Sequence, residues 1–186
     1  ERAFVTGTNW IQTFMKNKKF EIEDNEGGGD CLFAVIRDAF ATIGKSITVA
    51  QLREILANEA TQTQLDTLLT IYNSFNDERS KIKKRMQELR RSNEQLKKKV
   101  TAKPAPGEKG LTHQQKREMV ELSKQNVNEF NQLKESLELN DDLIKEYRYL
   151  NGVKTLDNFK RVIQTCGYWG ETWALSTLER VLNIKI

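Results

Sequence analysis

From Leu65 to Val100 the chain keeps a strict alternation of three- and four-residue steps. Leu65, Leu68, Tyr72, Phe75, Ile82, Met86, Leu89, Leu96 and Val100 hold nine of the places, and Arg79 and Asn93 hold the two polar ones. Such spacing, sustained over this length, fits an α-helix with one apolar seam and excludes a strand. Upstream, Thr61 with Gln64 and Thr63 with Asp66 supply caps that can open the helix. A helix over 64–100 is about 55 Å long at 1.5 Å per residue. Residues 101–110, TAKPAPGEKG, hold both prolines of the chain and must interrupt it. Helical spacing resumes behind Thr112 as N-cap, with Met119, Leu122, Phe130, Leu133, Leu137, Ile144 and Tyr147. Two long helices and a short connector predict an antiparallel helical hairpin over 64–148, a coiled-coil arm whose seam could also pair two chains.

Charge divides along the same line. The 186 residues carry 30 Lys/Arg against 26 Asp/Glu, a net +4 too small to name a partner. Between Lys81 and Lys109, however, lie 11 Lys/Arg and three Glu, so this stretch carries +8 and the remainder −4. A solvated helix face accounts for the run in the plainest way. The alternatives are an acidic protein partner or nucleic acid docked on 81–109. No aromatic interleaves these lysines, so stacking on single-stranded bases has no support.

The segments on either side, 1–63 and 149–186, are richer in aromatic and aliphatic residues and predict an α+β core interrupted by the arm. Trp10, Ile11, Phe14 and Met15 suit a short helix capped near Thr8–Asn9, and Phe20 and Ile22 alternate as a brief strand would. Thr48 with Gln51 caps a helix whose apolar face is Val49, Leu52, Ile55 and Leu56. Thr155 caps a helix over 156–166 with Leu156, Phe159, Val162 and Ile163 inward. Residues 172–182 form another, with Trp173, Leu175, Leu178 and Val181 inward and Asn183 as its end. Ile184-Lys185-Ile186 begins to alternate like a strand.

One segment could carry chemistry: Gly27-Gly28-Gly29-Asp30-Cys31-Leu32-Phe33-Ala34-Val35-Ile36. Glycines permit a close approach of backbone amides to a ligand, and Asp30 is a good N-cap. Cys31 then falls on the first turn of a helix with Leu32, Ile36, Ala39, Phe40 and Ile43 as its stripe and Gly44 as terminator. The partial positive charge of a helix start favours the thiolate, the reactive form of the side chain. The same amides could hold the oxyanion of a tetrahedral acyl intermediate. A small cysteine packed in a tight turn explains the residues equally well. A phosphate loop is disfavoured, because no Lys-Ser/Thr follows and Asp30 would repel phosphate. Cys166, next to Gly167 at a helix end, lacks that field and reads as packing.

GGGDCLFAVI resembles the nucleophile motif of the ovarian tumour (OTU) family of cysteine proteases. Ile47–Arg53 is similar to the next helix of that family, and Tyr168-Trp169-Gly170-Glu171 with Ala174-Leu175 and Leu182–Ile184 to its tryptophan turn, following helix and strand entry. The resemblance spans about 20–60 and 150–186; the arm lies outside it as an insertion. It implies an α+β, papain-type core and a thiol-dependent deubiquitinase that cuts after the terminal glycine of ubiquitin or a ubiquitin-like modifier. Cys31 maps onto the nucleophile, and Gly28, Gly29 and Asp30 onto the loop whose amides line the oxyanion hole. Many members place the acid three residues before the cysteine; here Gly28 stands there and the acid is Asp30.

The mechanism also needs an imidazole to take the thiol proton. The single histidine is His113, just after the proline connector and far along the arm from the core segments. The chain begins with Glu1 and is expected to be a piece of a longer protein. The family's histidine is expected beyond Ile186, so residues 1–186 alone should turn over little or nothing. The rival reading is a non-catalytic ubiquitin- or partner-binding module. No cofactor or metal is expected: two cysteines and one histidine fall short of an N/S zinc site. With no run of about 20 apolar residues and no signal-like opening, the reading is an intracellular, reducing compartment. That means the cytoplasm, or a host's cytoplasm for a viral or bacterial effector.

Overall fold

The computed structural model describes residues 14, 25, 27–104, 106–107 and 109–185. The elements are α1 (Cys31–Thr42), α2 (Val49–Glu59), α3 (Gln62–Thr101), α4 (His113–Glu146), a 3-10 turn (Arg148–Leu150), α5 (Leu156–Ile163) and α6 (Thr172–Leu182). Among the described residues every element is helical, with no strand and no sheet, which corrects the α+β, papain-type expectation to an all-α fold. The brief strand at Phe20 and Ile22, and the helix from Trp10, fall outside the described residues apart from Phe14. Behind Asn183, which stops α6 at φ 53°, the Ile184 amide donates to the Glu179 carbonyl at 3.0 Å. That bond occupies a donor which a strand would give to a neighbour.

The chain divides into two compact units, Glu1–Glu59 with Lys160–Ile186, and Ala60–Phe159. The second is the hairpin unit. Thr61–Gln64 and Thr112–Gln115 both close capping boxes, so each long helix starts where its side chains satisfy the orphan amides. The α3 helix, 40 residues, is about 60 Å long. Its partner seam on α4 is Met119, Ser123, Asn126, Phe130, Leu133, Leu137, Asn140, Ile144 and Tyr147, all at least partly buried. Leu122, expected inward, is 46% exposed. Of the three polar residues in seam places, Ser123 and Asn126 meet the Asn93 break of α3. Asn126 Nδ2 donates to Asn93 Oδ1 at 2.9 Å and to Ser92 Oγ at 3.1 Å, and Arg79 pairs with Asp141 at 2.7 Å. A one-heptad slip would set Asn93 against apolar side chains, so these layers fix the antiparallel register. Leu65, Leu150, Val153 and Phe159 are buried in the same unit.

In the first unit, α2 packs against α1 and α6. Thr48 and Gln51 form the expected reciprocal cap on α2. Gly44 ends α1 in a Schellman arrangement, with Lys45 N–H on the Phe40 carbonyl and Gly44 N–H on that of Ala41. Phe33, Ala34, Ile36, Leu52, Leu56, Ile163, Tyr168, Ala174 and Leu178 are buried. The inward stripe of α1 is therefore Phe33–Ala34–Ile36, while Ala39 and Ile43, expected inward, are exposed. On α6 the buried positions are Ala174, Thr177 and Leu178, and Val181, expected inward, is exposed. Residues 164–166, expected to continue α5, lie beyond its end at Ile163.

Candidate active site

Cys31 is the first residue of α1, half-buried and free. The turn before it needs φ of +85° at Gly28 and +102° at Gly29, a region that L side chains avoid. Gly29 is buried as well, and a Cβ there would lie 2.0 Å from the Cys166 carbonyl oxygen. Gly28 is exposed with nothing near it. Gly29→Ala is therefore expected to destabilise the first unit by about 3 kcal/mol or more, against about 1–2 for Gly28→Ala, whose cost is conformational alone. Urea titration followed by tryptophan fluorescence reads this unit selectively, because Trp169 and Trp173 belong to it and residues 60–159 contain no tryptophan.

Asp30 stands at the N-cap of α1 but makes no side-chain cap bond. Its carboxylate turns instead to Arg53, a residue to which the sequence reading assigned no role. Arg53 is 3% exposed and uses all five N–H donors. Nε and one terminal nitrogen donate to Asp30 Oδ1 at 2.9 and 2.5 Å, and that same nitrogen donates to the Gly29 carbonyl at 3.0 Å. The other terminal nitrogen donates to the carbonyls of Ile163 at 2.7 Å and Tyr168 at 3.1 Å. The guanidinium plane lies 4.2 Å over the Phe33 ring. One side chain thus ties the glycine loop, the head of α1, the end of α5 and the tyrosine turn into one piece. The signal was readable: position 53 is three and four residues before Leu56 and Ala57, on the buried face of α2.

The turn behind α5 completes the surroundings. Trp169, 58% exposed, sets its Nε1 3.2 Å from where a Gly29 Cβ would be, and Gly170 packs against the Leu32 side chain. Tyr168 is fully buried, and burial, reinforced by the Glu171 carboxylate, holds its phenol well above the ordinary value near 10. An unfolded chain releases this proton near pH 10 while the folded unit keeps it. Stability is therefore unaffected below about pH 10 and falls as pH rises beyond it. Tyr168→Phe is expected to flatten that alkaline decline, which tryptophan-detected melts at stepped pH would reveal.

Because Asp30 is turned away, its carboxylate does not take up the first-turn amides of Cys31, Leu32 and Phe33, which remain placed to meet a developing negative charge. Gly28, Gly29, Asp30 and Cys31 are consecutive in one turn and helix start, and Asp30 acts through its carboxylate as a brace on the loop. His113 opens α4 in the hairpin unit, whereas Cys31 belongs to the other. Among the described residues no group of three or more His, Cys, Asp or Glu is placed to hold a metal ion. No described helix is long and apolar enough to cross a membrane. No protein-family model, curated protein or solved structure matches the chain.

Proposed function

We propose that the first unit carries the nucleophile of a thiol-dependent deubiquitinase, with Cys31 attacking the carbonyl after the terminal glycine of ubiquitin or a ubiquitin-like modifier. The sulfur adds to the carbonyl carbon, the C–N bond breaks, the amine leaves with a proton, and water later hydrolyses the thioester. The observation that carries this reading is the setting of Cys31: a half-buried thiol on an N-terminus free of side-chain capping, behind a glycine turn braced by Arg53. The packing of the Gly27–Ile36, α2 and Tyr168–Gly170 segments around one guanidinium also supports it, since these segments share the family resemblance.

Proton transfer calls for an imidazole, and the first unit contains no histidine. Multiple turnover by residues 1–186 is accordingly expected to be slight, and single covalent capture is the suitable test. Ubiquitin bearing a vinyl sulfone at its C-terminus should form one adduct, mapped by peptide mass to Cys31. Absence of an adduct, or an adduct on Cys166, contradicts the proposal. The same lack of a histidine favours a second reading, a ubiquitin-binding module without catalysis, which predicts reversible binding of ubiquitin and no adduct.

A further inference from the structure

The connector end of the hairpin unit has a function of its own to suggest. Leu96 and Val100 of α3 and Met119 and Val120 of α4 wall an open apolar groove of about 400 Å³, floored by Asn93 and Ser123. Val120 is 46% exposed, and Val127, one heptad further along α4, is equally so. Around the groove positive charge predominates, although Glu94 lines it beside Lys97, and Glu118 and Glu121 flank Met119 and Val120. Residues 97–117 contain Lys97, Lys98, Lys99, Lys103, Lys109, Lys116 and Arg117 against Glu108 alone. Among the described residues none of these seven is held in an ion pair, whereas Arg79 and Arg85 further along the hairpin are paired with Asp141 and Glu129. Lys98 and Lys99 sit well with the dipole at the end of α3. Lys116 and Arg117 do not: they lie near the positive start of α4, whose first turn has no acidic residue. That arrangement is unfavourable in the hairpin alone and is relieved by an anionic neighbour.

We infer that this end of the hairpin docks an acidic amphipathic helix of a partner protein. Its apolar face lies in the groove between α3 and α4, and its carboxylates meet the surrounding lysines. A duplex would find cationic charge but no use for aliphatic walls, and a second copy would bring like charge against like. The test uses the full chain and a dye-labelled synthetic peptide of about 20 residues, with leucines at helical spacing and alanines and glutamates elsewhere. Fluorescence anisotropy should show binding at low salt, with a lysine-for-glutamate version of the peptide weaker by roughly tenfold or more. Val120→Asp, at an exposed position, should weaken binding roughly tenfold while circular dichroism keeps its helicity. Lys97→Glu with Lys98→Glu should invert the preference toward the lysine peptide. The inference is overturned if the glutamate peptide does not bind or if Val120→Asp leaves its binding unchanged. Tighter binding of a DNA duplex, indifferent to Val120→Asp, or sedimentation showing a dimer that excludes the peptide, overturns it as well.

Discussion

Arg53→Leu is expected to cost the first unit about 3–5 kcal/mol, a large share of the stability of an ordinary domain. The reason lies in what the substitution leaves behind. The buried carbonyls of Gly29, Ile163 and Tyr168 lose their donors together, and each unsatisfied polar group carries its own desolvation cost. Asp30, one-third exposed, recovers part of its loss from water, so Asp30→Asn should cost distinctly less. Arg53→Lys should recover only a fraction, because one ammonium cannot reproduce a planar fork that reaches four residues. Tryptophan-detected urea unfolding reads these differences. A cost below about 1 kcal/mol for Arg53→Leu would show that the guanidinium does not hold the segments together.

Cys31→Ala carries the largest functional effect: covalent capture by ubiquitin vinyl sulfone is expected to vanish. Stability should change little, since Cys31 is half-buried and makes no disulfide. Cys166→Ala, at an exposed thiol, should leave capture intact. The pair separates a positioned nucleophile from general thiol reactivity, because both variants remove one sulfur and only one removes it from the start of a helix. Capture that persists in Cys31→Ala would remove the deubiquitinase proposal. Equal loss in both variants would point to non-specific alkylation.

The two long helices were legible because their evidence is local. A seam period and a threonine–glutamine cap lie within a few residues of each other, and the reading of 64–100 came within two residues of the observed Gln62–Thr101. The polar breaks were visible too, but their partners were not. Asn126 sits on the α4 seam because of what α3 brings opposite, and an apolar count prefers Leu122, which faces outward. The α+β expectation rested on two short alternations, Phe20 with Ile22 and Ile184 with Ile186, before the family resemblance reinforced it, and these are too few residues to specify a strand without a pairing edge. At the site, the glycines and Cys31 announced themselves by type. The role of Asp30 did not, because a carboxylate before a helix reads as a cap unless the arginine that captures it is known. That arginine is 23 residues away in sequence and meets it only in the folded unit.

Competitive alkylation decides whether the start of α1 makes Cys31 the more reactive thiol of the pair. Brief treatment of the folded chain with a small neutral electrophile such as iodoacetamide, followed by peptide mass analysis, gives the two rates side by side. Cys31 is the less exposed of the two, so accessibility alone favours Cys166. Cys31 is expected to be modified faster, with the advantage lost when the chain is unfolded in urea. Faster modification of Cys166 in the folded chain would contradict it.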